Sequence, residues 1–256
     1  MKIIGLIAVR MKSSRLKKKA LLCVNEIPLI IHLLNRLKDS EMMDDVILCT
    51  STNPDDQILI DIAEKNGFKS FAGDEDDVLH RFICAAQTEH ADVAVRITGD
   101  NPLTDPGVID QMIKSHLATG ADYTRMDKLP VGITAEVISV SALKRAFSMA
   151  EDSGYSEYMT YYFVNYPEIF MLNIIEAPEI LARRSYRLTV DYQEDYELIK
   201  RIFEHFTGNN DFTIYDVIEY LDKNPQIAGI NSNIKVESAN LEINTRLKTS
   251  DTDERH

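Results

Sequence analysis

The sequence predicts an α/β fold with a mostly parallel sheet and helices on both faces. Short apolar runs that suit buried strands recur at residues 3–9, 45–50, 69–73 and 92–98. Helical stretches with Pro, Asn and Asp at their starts alternate with these runs, at spacings that suit right-handed crossovers. The 256 residues, 45% apolar, show no repeat and no break in composition. A single domain over residues 1–247 is expected, followed by a polar, disordered tail at 248–256.

Residues 3–9 give the first strand. The loop after it holds six cations, Arg10, Lys12, Arg15, Lys17, Lys18 and Lys19, with no acid between them and with Ser13 and Ser14 in their midst. Pro28 opens a helix whose last turn carries Arg36 and Lys38, where cations favour the negative end. Its His32 has no ligand partner nearby and is expected to pack. Asn53 caps a helix begun by Pro54, and Gly67 closes it. Helices follow at 76–90 and at 106–118, before Gly120. Further on, residues 135–140 alternate like a strand, and Ser141 is expected to cap a helix through Ala150. Residues 157–166 form an aromatic-rich helix, and 170–176 and 186–191 two more strands. A helix over 194–206 and a last one through Leu221, for which Asn210 or Asp211 and then Thr213 offer caps, complete the pattern.

Composition excludes several functions. The net charge of -13 argues against general nucleic-acid binding and makes a local cationic loop stand out. Cys23, Cys49 and Cys84 lie far apart in apolar segments, as reduced thiols do. The six histidines show no ligand spacing, so no transition-metal site is expected. The opening apolar run is too short for a secretory signal, and no stretch approaches the ~20 apolar residues of a membrane helix. A cytoplasmic location is expected.

In open α/β sheets ligands bind beyond the carboxyl ends of the strands. The cationic loop occupies such a position, as do residues 73–77 and 99–105. Neither of the glycine-rich phosphate motifs is present. Asp100 follows Gly99 at one strand end, and Asp191 ends Leu-Thr-Val-Asp at another. Together they would hold one Mg2+, which takes a few carboxylates plus phosphate and water. A cationic loop beside such a pair points to metal-assisted phosphate chemistry.

The opening Ile-Ala-Val-Arg-Met-Lys-Ser-Ser-Arg-Leu-Lys-Lys-Lys-Ala-Leu resembles the start of the cytidylyltransferase family, Pro-Ala-Arg-x-x-Ser-x-Arg-Leu-x-x-Lys. This family includes the synthetases of CMP-activated sugars. Residues 74–82, 96–106 and 187–198 are also similar to it, and with 212–218 and 224–231 they point to its spore coat SpsF-like branch. The resemblance implies a GT-A-like nucleotidyltransferase fold, CTP as donor, Mg2+, an acidic sugar or related acceptor, and often a homodimer, with a contact expected over 130–180. It implies that Arg10, Ser13, Ser14, Arg15 and Lys19 handle the triphosphate, with Arg10 and Lys19 catalytic. Asp100 and Asp191 would be catalytic metal ligands. The backbone of Ala8 and the Ala72-Gly73 turn would lie near the pyrimidine. Glu136, Glu157, Tyr158 and Arg187 would face the acceptor. The chain departs from the pattern at Ala8 and Val9, which replace Pro-Ala, at Lys12, which replaces Gly, and at Lys17-Lys18, which replace Pro-Gly. Tyr158 stands where the branch has His. A GT-A glycosyltransferase and a non-catalytic nucleotide-binding relative are the alternatives. The first lacks an Asp-x-Asp triplet near Asp100.

Overall fold

The structure, a computed structural model, describes residues 1–13, 15–151, 158–182, 185–208, 211–234 and 245–248. The expected strands form as β1 (Ile3–Ala8), β4 (Asp45–Ser51), β5 (Lys69–Gly73) and β6 (Val93–Thr98), with a small hairpin of β2 (Cys23–Val24) and β3 (Ile27–Pro28) after the cationic loop. The sheet continues through β7 (Tyr123–Asp127), β8 (Glu136–Ser139) and β9 (Leu172–Glu176), giving seven strands in the order β5-β4-β1-β6-β8-β7-β9. The pairs among β5, β4, β1 and β6 are parallel, β8 runs antiparallel to both neighbours, and β9 is parallel to β7.

Side chains alternate across each strand, so the sheet carries two cores. Ile3, Ile7, Val46, Leu48, Val95 and Ile97 face one, with α1 (Leu29–Leu37), α2 (Gln57–Lys65), α4 (Pro106–Thr119), α8 (Gln193–His205) and α9 (Ile214–Lys223). Ile4, Leu6, Ile47, Cys49 and Ala94 face the other, with α3 (Val78–Thr88), α5 (Val140–Met149) and α6 (Tyr161–Val164). Two single-turn helices, α7 (Glu179–Ala182) and α10 (Pro225–Ala228), complete the described helices. The caps at Asn53 and Thr213 lie where the sequence offers them, and Asp105 adds one that it did not single out. Asn53 accepts from the Asp55 N–H, Asp105 from Val108, and Thr213 from Asp216, while Gly67 and Gly120 end their helices at positive φ. No helix among the described residues is long and apolar enough to cross a membrane.

Four expectations are corrected. Residues 186–191 do not join the sheet. Their one bridge is Arg187 to Val131, and their amides bond to loops: Leu188 N–H donates to Val131 O at 2.6 Å and Val190 N–H to Asp100 O at 2.8 Å. Strand β7, absent from the sequence reading, lies between two neighbours and buries the polar run Tyr-Thr-Arg-Met-Asp. Helix α5 starts directly from β8, so Ser139 and not Ser141 stands at its N-cap, and the Ser139 hydroxyl donates to Ala121 O at 3.0 Å instead of capping. The aromatic helix shrinks to the single turn of α6, and residues 152–157 lie outside the described residues. Its Tyr162 and Phe163 are buried, with Phe163 stacked on Tyr123 at 5.2 Å, so this part of the stripe packs the protein's own core.

Candidate active site

Strands β1 and β6 are parallel neighbours with Ala8 opposite Thr98, so their following loops leave the same edge of the sheet. Gly99 makes this possible. A Cβ there would lie 2.7 Å from Val9 Cβ, and the Gly99 N–H donates to Ala8 O at 2.8 Å. The turn to Asp100 thus closes tightly on the end of β1. The cationic loop is anchored at Met11, whose N–H donates to the buried Asp56 carboxylate at 2.6 Å. It ends at Lys18, a left-handed residue with φ 56°, which turns the chain so that Lys19 faces inward.

Lys19 Nζ lies 2.8 Å from Asp100 Oδ2 and 2.9 Å from Asp191 Oδ1. The two aspartates, 91 positions apart in the chain, are therefore within reach of one ammonium. Arg15 donates to Asp191 Oδ1 at 2.7 Å, and Arg187 to Asp191 Oδ2 at 2.8 Å. Burial pushes the Asp191 carboxyl up, but Lys19, Arg15 and Arg187 outweigh it and hold it below the usual carboxylate range. The donor set fits a hard divalent cation. It offers two carboxylates gathered round one positive centre, with Asp100 lining the cleft. Among the described residues no third His, Cys, Asp or Glu joins them, so substrate phosphates and water would complete a shell.

A cavity of about 390 Å³ opens beside this cluster. The loop contributes Ala8, Val9, Arg10, Lys12, Ser13, Arg15 and Lys19, helix α3 contributes Val78 and Arg81, β6 and its turn give Arg96, Thr98, Gly99 and Asp100, and Tyr158 closes one side. A second chamber of about 400 Å³ shares Arg96 and Thr98 with the first. Its wall includes Arg125, Asp127, Lys128, Thr134, Glu136 and Thr160. A cationic, hydroxyl-bearing chamber with paired carboxylates, joined to a polar one, can hold a polyphosphate beside a polar acceptor.

The site gathers Ala8, Arg10, Ser13, Arg15, Lys19, Asp100 and Asp191 as expected, while Ser14 and Glu157 lie outside the described residues. Neither Ala72 nor Gly73 reaches the cavity wall. Gly73 packs under Arg81, where a Cβ would lie 2.8 Å from Arg81 Cγ, and Arg81 lines the cavity instead. Tyr158 borders the first chamber and not the second. Glu136 borders the second, but its carboxylate is already engaged by Arg96 at 2.6 Å, by the Tyr123 hydroxyl at 2.6 Å and by Thr160. Burial raises the Glu136 carboxyl, yet the Arg96 charge and these three bonds leave it below its ordinary value. Glu136 therefore braces the chamber. Arg187 touches neither chamber, because its guanidinium is held between Asp191 and Asp195. Arg81 and Arg96 escaped the sequence reading as site residues. The available signal was a single cation inside an otherwise apolar stripe, Val-Leu-His-Arg-Phe and Val-Ala-Val-Arg-Ile.

A sheet edge that joins a cationic loop, two convergent carboxylates and adjoining chambers defines a nucleotidyltransferase. A cytidylyltransferase family model matches residues 4–216, and the chain belongs to that family. It is a CTP-dependent nucleotidyltransferase. The chain is 39% identical to an uncharacterized protein of Methanocaldococcus jannaschii over 93% of this chain and 98% of that one. It is 35% identical to the spore coat polysaccharide biosynthesis protein SpsF of Bacillus subtilis over 88% of this chain and 96% of that one. A solved cytidylyltransferase from Leptospira borgpetersenii superposes with a TM-score of 0.83 at 31% identity, covering 92% of this chain and 99% of that one.

Proposed function

We propose that the enzyme transfers CMP from CTP to an acidic sugar or related acceptor, releases pyrophosphate, and serves surface polysaccharide or glycan synthesis. The observation that carries this is Lys19 bridging Asp100 and Asp191 at the mouth of the first chamber, with the second chamber alongside. Similarity to a spore coat polysaccharide biosynthesis protein supports the biosynthetic setting. The second chamber is lined by Arg96, Arg125 and Lys128, paired with Glu136, Asp127 and Glu176, and an acidic acceptor would compete for the more exposed Arg125 and Lys128.

In this reading Arg10, Ser13, Arg15 and Lys19 bind the triphosphate. Lys19 and Arg15 exchange their carboxylate partners for phosphate oxygens and neutralise the charge that develops on the departing pyrophosphate. Asp100 and Asp191, freed of those cations, would hold Mg2+. When bound, that ion supplies positive charge at the α-phosphate and helps to orient an in-line displacement. The acceptor hydroxyl oxygen bonds to the α-phosphorus as the bond to the β-bridging oxygen breaks, and its proton passes to solvent. Thr98, Thr134 and Thr160 are placed to hydrogen-bond the acceptor's hydroxyls. Ala8 and Val9 form a small apolar wall for the pyrimidine, with Arg81 at its edge.

The test is pyrophosphate release from the common nucleoside triphosphates, with Mg2+ and a panel of acidic sugars. Release with CTP and at least one sugar acid is expected. CTP binding without release for any acceptor would instead support a non-catalytic nucleotide binder.

A further inference from the structure

The stretch at 224–231 carries part of the family resemblance, yet it lies outside both chambers. Its last residue, Asn231, is buried behind Asp191. The Asn231 side-chain amide donates to Arg187 O at 2.9 Å and to Asp195 Oδ1 at 2.8 Å. Asp195 is fully buried. Its Oδ1 also accepts from Arg187 Nε at 3.0 Å, and its Oδ2 accepts the main-chain N–H groups of Asp191 and Tyr192, each at 3.0 Å. Arg187 then spans from Asp195 to Asp191 Oδ2. Asp191 is thus held twice from the same carboxylate, directly through its amide and indirectly through Arg187. Its Oδ2 is fixed inward, and Oδ1 is left toward Lys19 and Arg15. Charges alternate along the row, and Asn231 supplies neutral donors at its inner end. A carboxylate held at one oxygen, with the other presented outward, is half of a prepared cation site.

We propose that Asn231, Asp195 and Arg187 are positioning residues that set the orientation of Asp191 toward the divalent cation, so that the segment after α9 tunes metal affinity. This rests on Asp191 being a metal ligand. Arg187 is suited to the task because its planar fork bonds two carboxylates at once, which a lysine cannot reproduce. Asn231 is suited because an amide adds donors without adding a third charge.

The experiment is an Mn2+ titration of the full-length chain, with free Mn2+ counted by electron paramagnetic resonance at fixed CTP and corrected for Mn2+ held by CTP alone. Asp191→Asn is expected to abolish the protein-dependent site. Asn231→Ala is expected to weaken Mn2+ about ten-fold, a typical cost for losing an outer partner of a metal ligand. It should lower kcat by more than it raises the KM for CTP, because Asn231 itself lies outside the first chamber and reaches Arg15 and Lys19 only through Asp191. Arg187→Lys should weaken Mn2+ at least as much as Asn231→Ala, because it removes the fork that holds Asp191 Oδ2 directly. Where Asn231→Ala does not fold, Asn231→Ser, which keeps a hydroxyl donor, carries the same comparison alongside Arg187→Lys. Wild-type Mn2+ affinity in the Asn231 variants, with the site lost in Asp191→Asn, would overturn the positioning role and leave the metal assignment standing. Wild-type affinity in Asp191→Asn would overturn the metal assignment itself, and the positioning role with it.

Discussion

Lys19 is mostly buried, with 17% of its side chain exposed, and its ammonium lies between two carboxylates. A charge taken so far from water needs such partners, since removing one partner of a buried ion pair leaves the other uncompensated. Its position therefore does two jobs. Before substrate arrives Lys19 neutralises Asp100 and Asp191, and in the proposed reaction it meets the triphosphate that displaces it. Lys19→Ala should weaken CTP binding by about 1.5–3 kcal/mol, the range for hydrogen bonds to charged groups. Calorimetric titration with CTP would measure this, and an unchanged affinity would remove the loop from phosphate binding. Asp100→Asn is a sharper probe of the chemistry. The change keeps the side chain's shape, and its loss of charge should abolish turnover with little change in Tm. Wild-type turnover in that variant would contradict the metal assignment.

At the scale of elements, Asp191 owes its place to an extended segment that is not a sheet strand. Gly132, at φ 99°, lies so close under this segment that a Cβ would stand 2.1 Å from Thr189 N and 2.2 Å from the Leu188 carbonyl carbon. The contact is with backbone, which has nowhere to go without moving residues 188–191. Gly132→Ala should therefore cost about 2–4 kcal/mol of stability, combining left-handed backbone strain with overpacking, and lower activity as Asp191 shifts. Urea unfolding would read the first effect, and a wild-type midpoint would show that the segment is not held as described. The same segment marks how far sequence reasoning reaches. The parallel half of the sheet was legible because its signals are local: apolar runs for β1, β4 and β6, and caps at Asn53 and Thr213. So were Lys19 and Asp100, each placed by the strand just before it. Strand β7 was not, because its burial comes from β8 and β9 on either side and leaves no alternation in Tyr-Thr-Arg-Met-Asp. The role of Arg187 was hidden for a similar reason. Its place between Asp191 and Asp195 could be suspected from their spacing, but the Asn231 amide that completes the row comes from a residue 44 positions away.

For the whole molecule, the net charge of -13 is an average that conceals strong local pairing, and the pairing decides how stability follows pH. His116 is buried, with its ring between the Thr124 hydroxyl at 2.9 Å and the Ser139 hydroxyl at 3.2 Å. Ser139 gives its own proton to Ala121 O, so the hydroxyl can accept from His116 Nε2–H while Nδ1 accepts from Thr124. Burial favours this neutral ring and lowers its pKa to about 4, against the opposing pull of Asp122. Between about 6.5 and 4 the unfolded chain therefore binds a proton that the folded chain refuses, so stability falls as pH falls through this window and the His116 contribution is gone below it. Glu136 and Asp191 continue the trend. Their folded pKa values lie below the ordinary carboxylate values, so their contributions are present above those values and are lost as pH falls further. Relief of the overall negative charge acts the other way, but at 0.15 M salt the screening length is about 8 Å and repulsion between distant surface charges is small. The expected result is a Tm that is level near pH 7 and declines by several degrees from pH 6.5 to 4, then more steeply. His116→Gln keeps a side chain able to donate and accept but removes the titration. It should flatten the pH 6.5–4 portion of a calorimetric series and leave the steeper acid limb in place, and an equal slope in both proteins would assign that portion to other groups.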